Sequence, residues 1–240
     1  MGSCATTHSH TLPKIGAYMT AFPTSGFLAE ASDGLRKMLS AQATEISLSP
    51  GEILFEQGDE GDSLYAILEG TLEVSFLAMS GRKLTLTLMR PGEVFGEIAL
   101  FDNGPRTATI AAAEQSRVLR VRRNDVMNQI RQQPDLAVDM IRLAGLRMRW
   151  MGSQLNEQVF LPMPIRLARK LLHLSGLQDD PSARITLSQS ELAEFVGATR
   201  EAVSKTISTW KRDNMVEASR GGLLIQDFEA LRELADSDLI

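Results

Sequence analysis

Apolar positions along this chain keep two different rhythms. From Glu45 to about Arg122 they form short alternating or continuous runs: Ile53-Leu54-Phe55, Ser63–Leu68, Leu72–Leu77, Leu84–Leu88, Thr107–Ala111 and Arg117–Val121. Gly51, Gly58, Gly61, Gly70, Gly81, Gly92, Gly96 and Gly104 punctuate them. Short runs at near-even spacing with glycine at most turns predict an antiparallel roll or barrel. Ahead of this stretch, residues 1–25 read as a loose tail. A short helix is expected from Gly26 to about Gln42, with Leu28, Leu35, Met38 and Leu39 on its apolar side.

After Asn124 the rhythm becomes helical. Pro134-Asp135 opens a long segment reaching about Phe160, in which Ala137, Met140, Ala144, Met148, Met151, Leu155 and Gln158 recur at steps of three and four. That spacing is one seam of a coiled coil. A second apolar side, Val138, Ile141 and Leu143, is expected to pack on the roll. Two apolar faces on one helix predict one contact within the chain and one with a second copy, hence a homodimer; the alternative is a buried amphipathic core helix. Pro162 and Pro164 then stop the helix, and the break reads as a hinge.

Beyond the hinge, residues 165–178 predict another amphipathic helix and Asp179-Asp180-Pro181-Ser182 a turn. Ser188-Gln189-Ser190-Glu191 has the form of a capping box, leading into Leu192, Ala193, Phe195 and Val196 before Gly197. Thr199 can cap a second helix through Val203, Ile207 and Trp210. Helix, glycine turn, helix is the helix-turn-helix pattern; the alternative is an αα-hairpin with no ligand. Met215–Ala218 and Leu223–Gln226 around Ser219-Arg220-Gly221-Gly222 predict a hairpin wing, with Arg220 in reach of phosphate. The expected organisation is α+β: a tail (1–25), a roll (26–133), a dimerisation helix (134–161) and a winged helix-turn-helix (162–240).

Composition narrows the chemistry. The 240 residues are 43% hydrophobic and 23% charged, the profile of an ordinary globular protein. No apolar run approaches the roughly 20 residues of a membrane helix, and the first thirty residues hold no continuous apolar core, so the expected place is the cytoplasm, away from membranes. Cys4 is the single cysteine, which leaves no intrachain disulfide and no cysteine-ligated cluster. Cys4, His8 and His10 lie close together, but their segment is Ser/Thr-rich without a core, and no metal is expected there. Met1-Gly2 with Thr6 matches a myristoylation pattern only in a short, permissive way. A net charge of −5 means that any DNA-binding surface must be local. Residues 199–220 offer one, with Arg200, Lys205, Lys211, Arg212 and Arg220 against Glu201, Asp213 and Glu217; a solvated helix face would show the same balance.

The richest stretch is Phe95-Gly96-Glu97-Ile98-Ala99-Leu100-Phe101 followed by Pro105-Arg106-Thr107-Ala108. A short helix beginning near Gly96 would aim backbone amides at an anion, and Arg106 would add a bidentate guanidinium to the same phosphate. Glu97 would accept a ribose hydroxyl. The alternative for Glu97 and Arg106 is a surface ion pair.

Over about residues 26–235 the chain resembles the Crp–Fnr (catabolite activator–fumarate/nitrate regulator) family. Gly96-Glu97-Ile98-Ala99-Leu100 with Pro105-Arg106-Thr107-Ala108 is similar to that family's phosphate-binding cassette. Gly51-Glu52, Gly58-Asp59-Glu60-Gly61-Asp62 and Leu68-Glu69-Gly70 resemble its strand turns, and Val196-Gly197-Ala198-Thr199-Arg200-Glu201-Ala202-Val203-Ser204 its recognition-helix signature. The resemblance implies a jelly-roll-like cyclic-nucleotide-binding domain that regulates transcription. Gly96, Glu97, Ile98, Ala99, Arg106 and Thr107 would hold the cyclic phosphate and ribose. Val74, Leu86 and Thr87 would line the purine side, with Arg147 and Met151 approaching from the long helix. Ser188, Thr199, Arg200, Glu201, Ser204, Lys205 and Arg220 form the expected DNA-contacting set, with Arg200, Glu201 and Lys205 at base-reading positions. Double-stranded operator DNA and RNA polymerase are the implied partners, and no prosthetic group is needed.

One departure bears on the effector. Where cAMP-dependent members carry a Thr-Ser pair on the dimer helix, this chain has Met151-Gly152, with Ser153 adjacent. Thr107 is a hydroxyl directly after the cassette arginine, as in relatives that bond the exocyclic amine of a syn guanine. The implied effector is cAMP first, with cGMP a close competitor, or else the pocket is vestigial or takes another effector. An iron–sulfur sensor would need several cysteines, and a haem sensor an axial histidine that residues 11–172 do not contain. A catalytic reading of Glu97 and Arg106 lacks a metal cluster or nucleophile–base pair, so no enzymatic activity is expected.

Overall fold

The computed structural model describes residues 27, 31–176, 178, 180–219 and 221–237. The tail, with Cys4, His8 and His10, lies outside the described residues, as do Leu28 and Arg220. Among the described residues the first full helix is α1 (Asp33–Gln42), opened by Ser32, whose hydroxyl accepts from Leu35 N at 3.2 Å. The same hydroxyl donates to buried Asp139 far along the chain, and Ser32 N reaches that carboxylate at 3.3 Å. A charge that would be costly to bury alone thus ties the entry helix to the long helix.

Eight strands follow in two antiparallel four-stranded sheets: β1 (Thr44–Leu48), β2 (Ile53–Phe55), β3 (Ser63–Glu69), β4 (Leu72–Leu77), β5 (Lys83–Met89), β6 (Val94–Phe95), β7 (Thr109–Ala112) and β8 (Ser116–Arg122). Their orders are β1-β8-β3-β6 and β2-β7-β4-β5. Side chains alternate faces along a strand, and β3 shows the consequence. Tyr65 and Ile67 enter the core between the sheets with Leu72, Phe95, Ile110 and Val118, whereas Leu64 and Ala66 face the helices beside Leu35, Leu39, Leu100 and Leu136. Both faces being covered, β3 reads as a continuous apolar run. The short helix α2 (Glu97–Asp102) interrupts the roll between β6 and β7, and α3 (Arg123–Gln132) closes it.

The long helix α4 (Asp135–Phe160) lays Leu136, Met140 and Leu143 on the roll. This corrects the expected division of its faces. Val138 and Ile141, expected on the roll, are 63% and 71% exposed, while Met140, expected on the partner seam, is buried. The outward stripe is Val138, Ile141, Gly145, Met148, Gly152, Leu155 and Val159, an uninterrupted alternation of three and four. Each residue turns the helix by 100°, so the expected seam leaves the outward face at Met140 but keeps to it at Met148, Met151 and Leu155, which are 68%, 50% and 66% exposed.

Only Leu161 and Pro162 separate α4 from α5 (Met163–Gly176). Pro162 holds Leu161 extended, φ −92° and ψ 132°. Pro164, expected to break a helix, lies in the first turn of α5, where a missing amide donor costs nothing. The distal unit continues with α6 (Gln189–Val196), α7 (Arg200–Arg212), β9 (Val216–Ser219), β10 (Gly222–Ile225) and α8 (Phe228–Asp236) around Leu167, Leu171, Leu192, Val203, Ile207, Trp210 and Leu231. Gly197 ends α6 at φ 63°, the left-handed cap that lets α7 leave at an angle.

Candidate functional site

Between the second sheet, α2 and α4 lies an open-mouthed cavity of about 150 Å³. Val74, Leu86, Thr87, Gly96, Glu97, Ile98, Ala99, Arg106, Thr107, Arg147 and Met151 all border it. So do Phe55, Phe76, Met89 and Trp150, which sequence reasoning missed. Trp150 was within reach of inference: it precedes Met151 and follows Arg147 by three residues on one helix. The aromatic strand residues carried no local signal beyond strand propensity.

The floor is built around glycine. Gly96 sits at φ 87° before α2, and a Cβ there would fall 2.8 Å from Arg106 Nη1 and 2.9 Å from the Ser63 carbonyl. Gly61 lets the β2–β3 loop pack beneath α2, since a Cβ would overlap that of Ala99 at 2.1 Å. These contacts bring the Arg106 guanidinium against the helix start. Its Nη1 and Nη2 each donate to the Ser63 carbonyl at 3.1 Å, and Nη1 donates to the Gly96 carbonyl at 3.2 Å. The guanidinium carbon lies 4.2 Å from the Phe55 ring centroid, beside the stacked Tyr65–Phe95 pair. Nε is buried and has no hydrogen-bond partner among the described residues. Burial lowers the arginine's pKa, with Tyr65 and Asp62 pulling the other way.

Glu97 and Arg106 do not form the surface ion pair that was the alternative reading; they are 3% and 4% exposed. Glu97 instead faces Arg147, whose Nε lies 3.5 Å from its carboxylate, while Arg147 Nη2 donates to the Val94 carbonyl at 3.1 Å. A carboxylate, a cation with an unused donor and the first turn of α2 thus converge on one apolar-walled cavity. That set suits a ligand carrying an anion and hydroxyls next to a flat apolar ring. Among the described residues no cluster of candidate metal ligands occurs.

A second candidate surface lies on α7. Ser188 caps α6 reciprocally with Glu191, the two backbone–side-chain bonds measuring 2.7 and 3.2 Å. Thr199 caps α7 by accepting from Ala202 N at 3.2 Å. Both hydroxyls are engaged in capping, leaving Arg200, Glu201 and Lys205 exposed at the start of α7 and Ser204 half-buried. The β9–β10 hairpin is braced by Arg184, which pairs with Glu217 at 2.7 Å and donates to Ser219 Oγ at 2.9 Å.

The two surfaces are physically joined. Lys170 of α5 donates to the Leu86 carbonyl of β5 at 3.2 Å and lies 4.5 Å from the Phe195 ring of α6. Lys83 of β5 is 3.7 Å from Glu194. Burial pulls the Lys170 ammonium down to about 8, with Glu157 opposing; His173 beside it is also lowered, chiefly by burial. The unfolded amine keeps its ordinary value of 10.5, so between these values the unfolded chain holds the extra proton. Stability is therefore expected to rise with pH across that window. A melting series from pH 7.5 to roughly 10 checks this, and Lys170→Met should flatten the rise.

Comparison with known proteins agrees with this geometry. Residues 45–133 match the family described as "Cyclic nucleotide-binding domain", and residues 165–234 that described as "Crp-like helix-turn-helix domain". The chain is 31% identical over 202 residues to a "CRP-like cAMP-activated global transcriptional regulator" of Mycobacterium tuberculosis, covering 82% of this chain and 90% of that protein. It is 31% identical over 185 residues to the "Cyclic AMP receptor protein" of Thermus thermophilus, covering 77% and 85%. In fold it is similar to the crystal structure of a Crp/Fnr-family regulator from Eubacterium rectale, with a TM-score of 0.76 at 18% identity over 90% of this chain and 99% of that one.

Proposed function

Because this chain belongs to the Crp–Fnr family of cyclic-nucleotide-binding transcriptional regulators, we propose that it acts as a homodimer switched by cAMP, with cGMP the competing effector. The observation that carries this reading is Arg106: a buried guanidinium with an unpartnered Nε at the cavity floor, beside the start of α2. Gly96, Ile98, Ala99, Arg106 and Thr107 would hold the cyclic phosphate, and Glu97 the ribose. Val74, Leu86, Thr87 and Met151 would flank the base, with Arg147 holding Glu97 in place from α4. The unused Nε could donate to an arriving phosphate, whereas recruiting Nη1 and Nη2 as well would draw them from the Ser63 and Gly96 carbonyls.

The mechanism follows from where α4 leads. It touches the cavity through Arg147 and Met151, then enters the DNA-binding unit through the two-residue link at Leu161-Pro162. A ligand bridging the roll and α4 would favour one arrangement of the distal unit over another. The exposed stripe from Val138 to Val159 is the proposed dimer seam. Among the described residues outside their own helix backbone, a Cβ at Gly145 would meet only the Arg149 guanidinium, at 3.9 Å, and one at Gly152 nothing within 4 Å, so both would let a second helix approach closely. The seam would fix two copies of α7 about one DNA turn apart. Arg200, Glu201, Ser204 and Lys205 would then meet base edges, and Ser188, Thr199 and Arg220 the backbone. RNA polymerase is the partner such a regulator would need. No helix among the described residues is long and apolar enough to cross a membrane, and a regulator working on chromosomal DNA belongs in the cytoplasm. No catalytic step is required of any residue.

The relatives named as a cAMP-activated regulator and a cyclic AMP receptor favour cAMP. Exposed Thr107 at the cavity edge favours cGMP, and Met151-Gly152 offers no hydroxyl to either base. Calorimetric titration with each nucleotide separates these readings. Heat from cAMP at lower concentration than from cGMP is the expected result. The reverse order would make cGMP the effector, and silence from both would overturn nucleotide sensing.

A further inference from the structure

Two cavities meet at Trp150. One is the effector pocket; the other is the cleft between the roll and the distal unit, walled by Arg166, Lys170 and Phe195 on the distal side. Leu86, Thr87 and Trp150 border both. Thr87 of β5 pairs with Val74 of β4, and Leu86 sits at the bulge beside it with its carbonyl accepting from Lys170 at 3.2 Å. Trp150 is different in kind. It is half-buried on α4, and its ring lies 6.0 Å from the Arg147 guanidinium, which in turn lies 3.5 Å from Glu97. A line of contacts therefore runs from the carboxylate in the pocket to a ring standing at the edge of the cleft.

The chemistry of the pocket wall gives that ring a task. On the base side the wall is Val74, Leu86, Thr87 and Met151; the Thr87 hydroxyl donates to the Leu88 carbonyl at 3.4 Å, and α4 offers no hydroxyl at positions 151 and 152. An indole has a π face comparable in size with a purine. Stacking on such a face tolerates any base edge, because every base presents the same kind of ring.

We propose that Trp150 is the base-stacking residue of the effector pocket and the partition between pocket and cleft, capturing a purine by its ring face without selecting between cAMP and cGMP. This rests on the reading that the pocket takes a cyclic nucleotide. The seat of the ring then depends on occupancy, and any shift changes the cleft in which Lys170 and Phe195 hold α6 against β5. Affinity for purine cyclic nucleotides and release of the DNA-binding unit pass through one side chain.

The test uses the full chain and its variants Trp150→Leu and Trp150→Phe, titrated with cAMP and with cGMP. Hydrogen exchange of the α6 amides (Gln189–Val196) is followed with and without nucleotide. In both variants Trp210, buried in the distal core, is the only remaining tryptophan, and its unchanged emission reports an intact fold. Trp150→Leu is expected to weaken both nucleotides in parallel by about tenfold or more. Trp150→Phe keeps a stacking face too small to reach the cleft; it should bind within a few-fold of the parent while nucleotide no longer alters exchange in α6. The proposal is overturned if Trp150→Leu binds like the parent, if only one nucleotide is weakened, or if Trp150→Phe transmits the full exchange change. A parent chain that binds neither nucleotide overturns the effector reading as well.

Discussion

Arg106→Ala is expected to lower cyclic-nucleotide affinity by about a hundredfold or more, the scale for removing one partner of a buried, hydrogen-bonded charge pair. The expectation rests on what the side chain does in the empty pocket. Its donors already engage the Ser63 and Gly96 carbonyls, and its plane packs over Phe55. Alanine strips those carbonyls of their partner and leaves a void beside Phe55, so the variant should also melt at lower temperature. Arg106→Lys separates the two effects. It keeps a positive charge and much of the packing but loses the planar fork and the unused Nε donor. It should therefore melt closer to the parent yet bind nucleotide nearly as poorly as alanine. Calorimetry paired with thermal denaturation checks both. Retained affinity in Arg106→Lys would mean that charge alone anchors the ligand.

Leu155→Glu is expected to convert a dimer to monomers and to weaken DNA binding by about 10²–10⁴-fold, the avidity lost when two linked readers become one. Leu155 is 66% exposed within its own chain and is the next-to-last residue of the stripe that runs from Val138 to Val159. A carboxylate there costs the isolated chain little, whereas a dimer would bury two of them against each other. Gly152→Leu sharpens the test. A Cβ at Gly152 meets nothing within 4 Å, and leucine is the better helix former by roughly 1 kcal/mol. The monomer should be unharmed or slightly stabilised while the helices are forced apart. Sedimentation equilibrium reads the dissociation, and a dimer indifferent to both substitutions would place the seam elsewhere.

The legibility of this protein in its sequence follows the range of the interactions. Strands β3, β4, β5 and β8 were visible because alternation and flanking glycines are local. Of the residues that border the cavity, Gly96, Glu97 and Arg106 were legible from their own chemistry, and the family resemblance supplied Val74, Leu86, Thr87, Ile98, Ala99, Thr107, Arg147 and Met151. The two-residue strand β6 was too short for any period to show. The faces of α4 were misdrawn because alanine and methionine recur at spacings of three and four on two adjacent tracks, and only the packing of Leu136, Met140 and Leu143 selects between them. Pro164 was read as a stop because the rule that excludes proline from helices does not apply in a first turn. The docking of α6 on β5, through Lys83, Lys170, Glu194 and Phe195, joins residues far apart in the chain; nothing local announces it.

Coupling between the pocket and the DNA reader would show directly in DNA affinity. A duplex that the protein itself selects from a random-sequence pool, titrated by fluorescence anisotropy with and without saturating cAMP or cGMP, supplies the reading. The affinity is predicted to change by about 5- to 150-fold, the usual span of such couplings, and the change should vanish in Arg106→Lys. An affinity that stays the same at saturation with either nucleotide would contradict the account.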